Sequence, residues 1–277
     1  MRFADLHTHT NFSDGIDTPE ELVKLAISSK LSAIAISDHD TVDGILPAIE
    51  AVKNTTLELI PSLELSAEYE NCEVHILGFL VDYCAPYLLS RLAKIREDRI
   101  IRMNDMVKRL KSQGITIDVN KVFALAGHAT VGRMHLARIL HLGGFITTLG
   151  EAFNKYIGQN CPAYVSRFKL TPKEAIELIL AVKGVPVLAH PYSLNNDKLI
   201  EEFCGYGLKG IEAHYPEHLP QITQHYENIA DRLGLIKTGG SDYHGAIKPH
   251  NPLGKIKVPY SVVEQLKDVK AKLNRVL

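Results

Sequence analysis

Two imidazoles and two carboxylates crowd into ten positions near the start of the chain: Asp5, His7, His9 and Asp14 in FADLHTHTNFSDG. Packing gives no reason for that density. In a strand successive side chains alternate faces, so His7 and His9 point the same way, two residues apart. Two neutral imidazoles on one face can share a cation, and a neighbouring carboxylate supplies charge. A polar loop with histidines by chance is the plain alternative for this segment taken alone. Further groups of the same type recur along the chain: Asp38 and His39 in AISDHD, Glu64 in LELSA, His75 in CEVHILGF, His190 in VLAHP, and Asp242 and His244 in GGSDYHG. Six histidines and several carboxylates exceed the capacity of one tetrahedral ion. Nitrogen and oxygen donors without thiolates suit zinc, manganese or iron. Two or three such ions sharing a carboxylate would bind an oxyanion and ionise a bridging water.

The elements that must position these groups alternate. RFADLH reads as a strand and TPEELVKLAISSK as a helix, with Thr18 at the cap, Pro19 in the first turn and Glu21 completing a capping box. LSAIAISDHD is a short apolar run that suits a buried parallel strand, and TLELIPSLELSA and CEVHILGFLV read as further strands. From about Pro86 the pattern turns helical, starting with YLLSRLAKIREDRIIRMNDMVKRLKSQG, and no convincing strand follows until about residue 163. Alternation then resumes: VPVLAHP, LKGIEAHYP and LIKTGGSDYHG are strands between helices, and YSVVEQLKDVKAKLNRVL is a terminal helix. The expected division is residues 1–85 with 166–277 as one domain and residues 86–165 as a helical insertion. Repeated βα units on either side of it argue for an α/β fold, as an open sheet or a closed barrel. His7, His9, Asp38, His39, Glu64, His190, Asp242 and His244 fall at or just after the C-terminal ends of predicted strands, the edge where sites form in parallel α/β folds. His75 lies inside its strand and fits less neatly.

The 277 residues are enough for a sizeable core, and the net charge of −1 gives no global electrostatic case for duplex DNA or an anionic membrane. MRFADLHTHT has no apolar run suited to a signal peptide and no 18-residue apolar stretch follows, so the cytoplasm is the expected location. Cys72, Cys84, Cys161 and Cys204 are scattered and read as free thiols. GGSDYHG lacks the lysine of a phosphate-binding P-loop, and no G-x-S-x-G elbow supports a serine hydrolase.

DLHTHTNFSDG, AISDHD, ELSA, LAHP and GGSDYHG stand in the order of the motifs of the PHP (polymerase and histidinol phosphatase) family, which this chain resembles from Asp5 to His244. That resemblance implies a distorted seven-stranded (β/α) barrel with a small helical cap and two or three divalent ions (manganese, zinc or iron) at its C-terminal mouth. It implies as ligands His7, His9, Asp14, His39, Glu64, His75, His190, Asp242 and His244, with Glu64 as the bridge. Asp38, Glu64 and Asp242 are the carboxylates assigned to catalysis, Asp5 and Asp38 being expected to orient imidazoles. The nearest branch resembles the tryptophan-operon-associated members, which act on nucleotide phosphates and in some cases on RNA ends. VGRMHLARIL is similar to the Arg-Pro-His-Ile-Ala-Arg segment of that branch, with Met134 in place of the proline. Arg133 and His135 are therefore expected to bind substrate, a guanidinium being suited to clamping phosphate. His214, at the end of IEAHYP, is a third candidate, although the branch more often carries an aromatic residue there.

The expected activity is phosphoester hydrolysis by a metal-bound hydroxide, on 5′-mononucleotides, 3′,5′-bisphosphates or short RNA or oligonucleotide ends. Histidinol-phosphate hydrolysis is a rival, opposed by the helical insertion and the Arg-x-His-x-x-x-Arg segment. Carbon–nitrogen bond hydrolysis and a non-catalytic nucleotide-sensing module are two more, the latter opposed by the full set of ligand candidates. The eight basic residues from Arg91 to Lys111, set against Glu97, Asp98 and Asp105, read as a solvated helix face. His128, His141, His218, His225 and His250 read as surface or helix residues.

Overall fold

A computed structural model describes residues 2–70, 72–166 and 170–276. Strands β1 (Phe3–Thr8), β2 (Ala33–Ile36), β3 (Glu58–Tyr69), β4 (Cys72–Phe79), β5 (Val185–Leu188), β6 (Gly210–His214) and β7 (Ile236–Gly239) pair in sequential order. The two-residue β8 (Val258–Pro259) adds antiparallel to the start of β1. Beyond the end of β7 the chain returns to β1, where His9 N donates to Tyr243 O at 2.9 Å and Tyr243 bridges to Thr8. The sheet thus curls to a nearly closed barrel. Gly240 is required at that seam, because a Cβ on it would overlap the backbone nitrogen of His7.

One departure from strict βα alternation shapes the site. β3 and β4 form an antiparallel hairpin, and β4 runs antiparallel to β5 as well. The reversed strand brings its first half, not its last, to the mouth. His75, opposite Ser66 in the register, reaches the same edge as the strand-terminal histidines for that reason.

Helices α1 (Pro19–Ser28) and α2 (Ile45–Val52) follow β1 and β2. The Thr18–Glu21 capping box is formed, with Pro19 in the first turn. Both faces of β2 are buried: Ala33 and Ala35 belong to a core shared with β4, β5 and the C-terminal helix, whereas Ile34 and Ile36 pack with Leu22, Val23 and Ala26 of α1. A run of four apolar residues without polar alternation is what such a strand needs.

The described residues divide into two compact units, Met1–Leu89 with Lys169–Leu277, and Ser90–Phe168. Helix α3 (Pro86–Ser112) begins in the first and continues into the second, which also holds α4 (Val119–Ala126), α5 (Arg133–Leu142) and the short α6 (Leu149–Ala152). Its own core is built on Met103, Met106, Leu110, Val122, Leu136 and Leu140. The basic run of α3 is not uniformly solvated. Arg99 and Arg102 are buried, and their guanidiniums donate to Val131 O (3.1 Å) and Val165 O (2.8 Å), which stitches loops to the helix. In the first unit, α7 (Pro172–Ala181), α8 (Lys198–Tyr206) and α9 (Pro220–Leu233) accompany β5 to β7, and α10 (Ser261–Val276) closes the chain. No helix among the described residues is long and apolar enough to cross a membrane.

Candidate metal centre

Glu64, 1% exposed, lies where five imidazoles converge. His7 Nε2 (3.3 Å), His9 Nε2 (3.4 Å) and His39 Nδ1 (3.1 Å) face its Oε2, and His75 Nδ1 (2.9 Å) and His190 Nε2 (3.1 Å) face its Oε1. Asp242 Oδ1 stands 3.2 Å from His9 Nε2 and 3.4 Å from His244 Nδ1, and Asp14 Oδ1 lies 3.2 Å from His244 Nε2. Three overlapping groups of donor atoms result: His9, Asp14, His39 and His244; His7, His9 and Asp242; and His39, Glu64 and His75. His9 and His39 each serve two of them.

The hydrogen bonding shows what the groups are for. Both ring nitrogens of His9, Asp14 Oδ1, His39 Nδ1 and His75 Nε2 are buried without a hydrogen bond, although carboxylates stand close by. A buried polar atom without a partner costs free energy, so several in one place call for a shared ligand. Divalent cations meet that need. The donor set is nitrogen and oxygen throughout, in overlapping groups of three and four, and fits ions of the zinc, manganese and iron type.

Electrostatics divide the imidazoles. Burial pushes His39 down to about 3 against the pull of Glu64 and Asp14, and it lowers His9, with His244 alongside adding to the effect. Both are neutral at pH 7, the form whose lone pair can ligate a metal. His7 and His75 go the other way. Burial opposes their protonation, but Glu212 and Glu64 raise His7 well above its ordinary value, and Glu64 with Glu73 lifts His75 to about 10. Burial also works against ionisation of Asp14, Glu64 and Asp242, yet the imidazoles facing all three, with Lys248 beside Asp242, hold them below the usual carboxylate range.

Supporting contacts fix the donors. Glu212, fully buried on β6, accepts a hydrogen bond from Nδ1 of His7 (2.9 Å), which turns Nε2 toward Glu64 (3.3 Å). Its other oxygen accepts from His190 N at 2.9 Å. His190 (φ 26°) and Asp242 (φ 48°) occupy the left-handed region, uncommon for residues with a Cβ and frequent at functional sites. Asp242 is held by Lys248 Nζ (2.6 Å) and Tyr215 OH (2.8 Å), both on Oδ2, so that Oδ1 is left to the imidazoles.

The model of the PHP domain matches residues 5–129. The chain is 33% identical over 247 residues to the 5′-3′ exoribonuclease Rnm of Escherichia coli (strain K12), covering 87% of this chain and 84% of that one. This chain belongs to the PHP family. A 3′,5′-nucleoside bisphosphate phosphatase of Chromobacterium violaceum is 30% identical over 250 residues, 88% of each chain. A crystal structure described as a putative metal-dependent phosphoesterase from Bifidobacterium adolescentis superposes with a TM-score of 0.88 at 33% identity, over 95% of this chain and 94% of that one.

Of the residues expected at this PHP site, His7, His9, Asp14, His39, Glu64, His75, His190, Asp242 and His244 are brought together in one cluster. Neither Asp5 nor Asp38 is hydrogen-bonded to an imidazole ring; Asp5 meets His7 only at its backbone N (3.4 Å). Asp38 accepts from Thr10 N (2.8 Å), Thr10 Oγ1 (2.6 Å) and Ser13 Oγ (2.6 Å), which pins the segment leading to Asp14. Asp5 accepts from Ser241 N and Oγ and from Gly254 N, fastening the β7 loop to β1. Burial pushes Asp5 up to about 6 in spite of those donors.

His214 turns away to Glu227 of α9, at 3.5 Å. A register irregularity between Glu212 and His214 redirects the strand end, and Tyr215 reaches the centre in its place. In the helical unit, His135 is buried and its Nδ1 accepts from Gly132 N (3.1 Å), which makes it a capping residue of α5. Arg133 lies over the rings of Phe153 (5.6 Å) and Tyr164 (6.0 Å). Sequence reading missed Glu212, Tyr215 and Lys248. A carboxylate inside the apolar run LKGIEAHYP was the one available signal, for Glu212.

Proposed function

We propose that this chain is a metal-dependent phosphoesterase of the cytoplasm that hydrolyses nucleotide phosphomonoesters or the ends of short RNA or oligonucleotides. The observation that carries the reading is the set of three donor groups meeting at Glu64, with unpartnered buried imidazole atoms in each. The names of the relatives agree in kind: an exoribonuclease and a nucleoside bisphosphate phosphatase both cleave phosphoesters of nucleotides.

His9, Asp14, His39 and His244 would hold one ion, and His7, His75, His190 and Asp242 would complete the others, with Glu64 shared between them. Bound there, divalent manganese, zinc or iron would supply Lewis acidity toward phosphoryl oxygens and lower the pKa of water. The chain's own part is to keep the donors oriented. Glu64 balances charge between the groups, Glu212 sets the tautomer of His7, and Lys248 with Tyr215 holds Asp242 to one free oxygen. The buried hydroxyls of Ser13 and Ser241 donate to Asp38 and Asp5, which commits them to the scaffold and not to nucleophilic attack. Arg133, a permanent cation suited to a second phosphate, is our candidate for substrate recognition by the helical unit.

The test is phosphate release by the manganese-loaded protein from 5′-mononucleotides, 3′,5′-bisphosphates, a 5′-phosphorylated oligoribonucleotide and histidinol phosphate, with and without chelator. Turnover of the nucleotides that chelation abolishes is expected. Preference for histidinol phosphate would transfer the chain to the rival activity, and metal binding without turnover of any phosphoester would leave a sensing module.

A further inference from the structure

Outward from the metal donors runs a short row of rings. The His190 ring lies 5.5 Å from that of Tyr215, and the Tyr215 ring lies 5.9 Å from that of Tyr192. Tyr215 is 5% exposed and bonded to Asp242, so it belongs to the centre itself. Tyr192, two residues after His190 on the turn Pro191–Leu194, is 37% exposed and ligates nothing. Its orientation is nevertheless fixed. Its hydroxyl donates to Glu217 Oε2 at 2.5 Å, and the His218 ring stands edge-on to it at 5.4 Å and 89°. His218 is in turn anchored through Nδ1 to Ala213 O (2.9 Å). An exposed aromatic ring braced on two sides beside a phosphoester site is what a stacking platform requires, because the ordering entropy of the side chain is already spent.

Charge decides what stacks there. The group tying Tyr192 is a carboxylate, Glu217, and no lysine or arginine is hydrogen-bonded to either residue among the described ones. A second phosphate would be repelled, whereas a flat, uncharged ring is accepted. We propose that Tyr192 is the ledge on which the base of a nucleotide substrate stacks, with the scissile phosphate at the donors around Glu64 and the sugar spanning the width of Tyr215. This rests on the phosphoesterase reading above. Stacking of this kind reads the π-face of a base and not its edge, so purines and pyrimidines are both taken.

The experiment compares kcat and KM of wild type, Tyr192→Ala and Tyr192→Phe on adenosine and uridine 5′-monophosphates, with ribose 5-phosphate as the substrate lacking a base. Metal content of each protein is measured in parallel. Base–aromatic stacking predicts that Tyr192→Ala raises KM for both nucleotides by about 5- to 100-fold, with kcat and metal content little changed. Ribose 5-phosphate should be cleaved by this variant as by wild type, and Tyr192→Phe should retain most of the preference for nucleotides. Equal changes on all three substrates, or none on the nucleotides, would overturn the ledge while leaving the phosphoesterase reading intact. A wild-type protein that cleaves none of the three, and neither a 3′,5′-bisphosphate nor a 5′-phosphorylated oligoribonucleotide, would instead overturn the reading on which the ledge rests.

Discussion

Glu64 presents one oxygen to each side of the centre, Oε2 to His7, His9 and His39, and Oε1 to His75 and His190. No other side chain of the site touches so many donors, and its charge offsets cations on both sides. Glu64→Gln keeps the shape and removes that charge. It is expected to lose metal occupancy and kcat together, as read by elemental analysis of the desalted protein and by phosphate release. Full occupancy with near-normal turnover would show that the ions do not share this carboxylate. Glu212 acts one bond further out, through His7. Partners of metal-bound histidines contribute about 10- to 100-fold in affinity or activity, so Glu212→Gln should weaken metal binding within that range. Titration with a competing chromophoric chelator measures it directly, and unchanged affinity would reduce Glu212 to a packing role.

Among the elements, the first half of the segment between β1 and α1 is clamped by one carboxylate. Asp38 accepts three hydrogen bonds from Thr10 and Ser13, and Asp14 depends on the position of that segment. Asp38→Ala leaves buried donors unsatisfied, a cost of about 1–3 kcal/mol each. The denaturant midpoint should fall, and the ion held by His9, Asp14, His39 and His244 should be lost while the remaining metal stays. Stoichiometry reduced at every group, or at none, would contradict that coupling. Helix α5 carries the other element-scale test. Arg133→Ala should leave metal content unchanged and lower kcat/KM on nucleotides by about ten- to a few hundred-fold, if hydrogen bonds to charged groups of roughly 1.5–3 kcal/mol are lost. No loss would return Arg133 to its aromatic neighbours as a packing residue.

Across the whole molecule, metal and proton both act on stability. The donors come from β1, β3 and β4 and from the loops after β1, β2, β5 and β7, so ions bound by the native state alone stabilise it in proportion to the logarithm of their concentration over Kd, about 2.7 kcal/mol per site at a hundredfold excess. Chelation should therefore lower the melting temperature in a calorimetric scan. An unchanged melt would mean that the ions bind without linking the strands. A separate pH effect comes from the far side of the barrel. Burial works against ionisation of Glu58, but Lys267 and Tyr260 of the C-terminal segment hydrogen-bond to it and hold its pKa below the ordinary value of 4.5. A carboxylate lowered in the folded state contributes stability that is present above its unfolded pKa and lost as pH falls through the folded one. Lys267→Met should thus reduce stability more at pH 7 than at pH 3. Equal losses at the two values would assign the effect to packing.

The residues DLHTHT, SDHD, LAHP and SDYHG announce the metal chemistry by type and spacing, and Thr18, Pro19 and Glu21 mark a helix start, because both depend on neighbours close in sequence. The alternation of βα units and the break near Pro86 are legible for the same reason. What the chain order conceals is direction and partnership. His75 joins the centre because β4 is reversed, a fact of strand pairing that no local pattern records. Asp38 looks like a partner for an imidazole and is instead a clamp on a loop, since its neighbours are set by how β1 lies beside β2. His214 and Tyr215 exchange the expected roles through one irregularity in pairing. Glu212 and Tyr192 acquire meaning only from side chains 205 and 25 positions away, and Lys248, six positions from Asp242, only from the turn that folds it back; tertiary structure alone brings such pairs within hydrogen-bonding or ring-stacking distance.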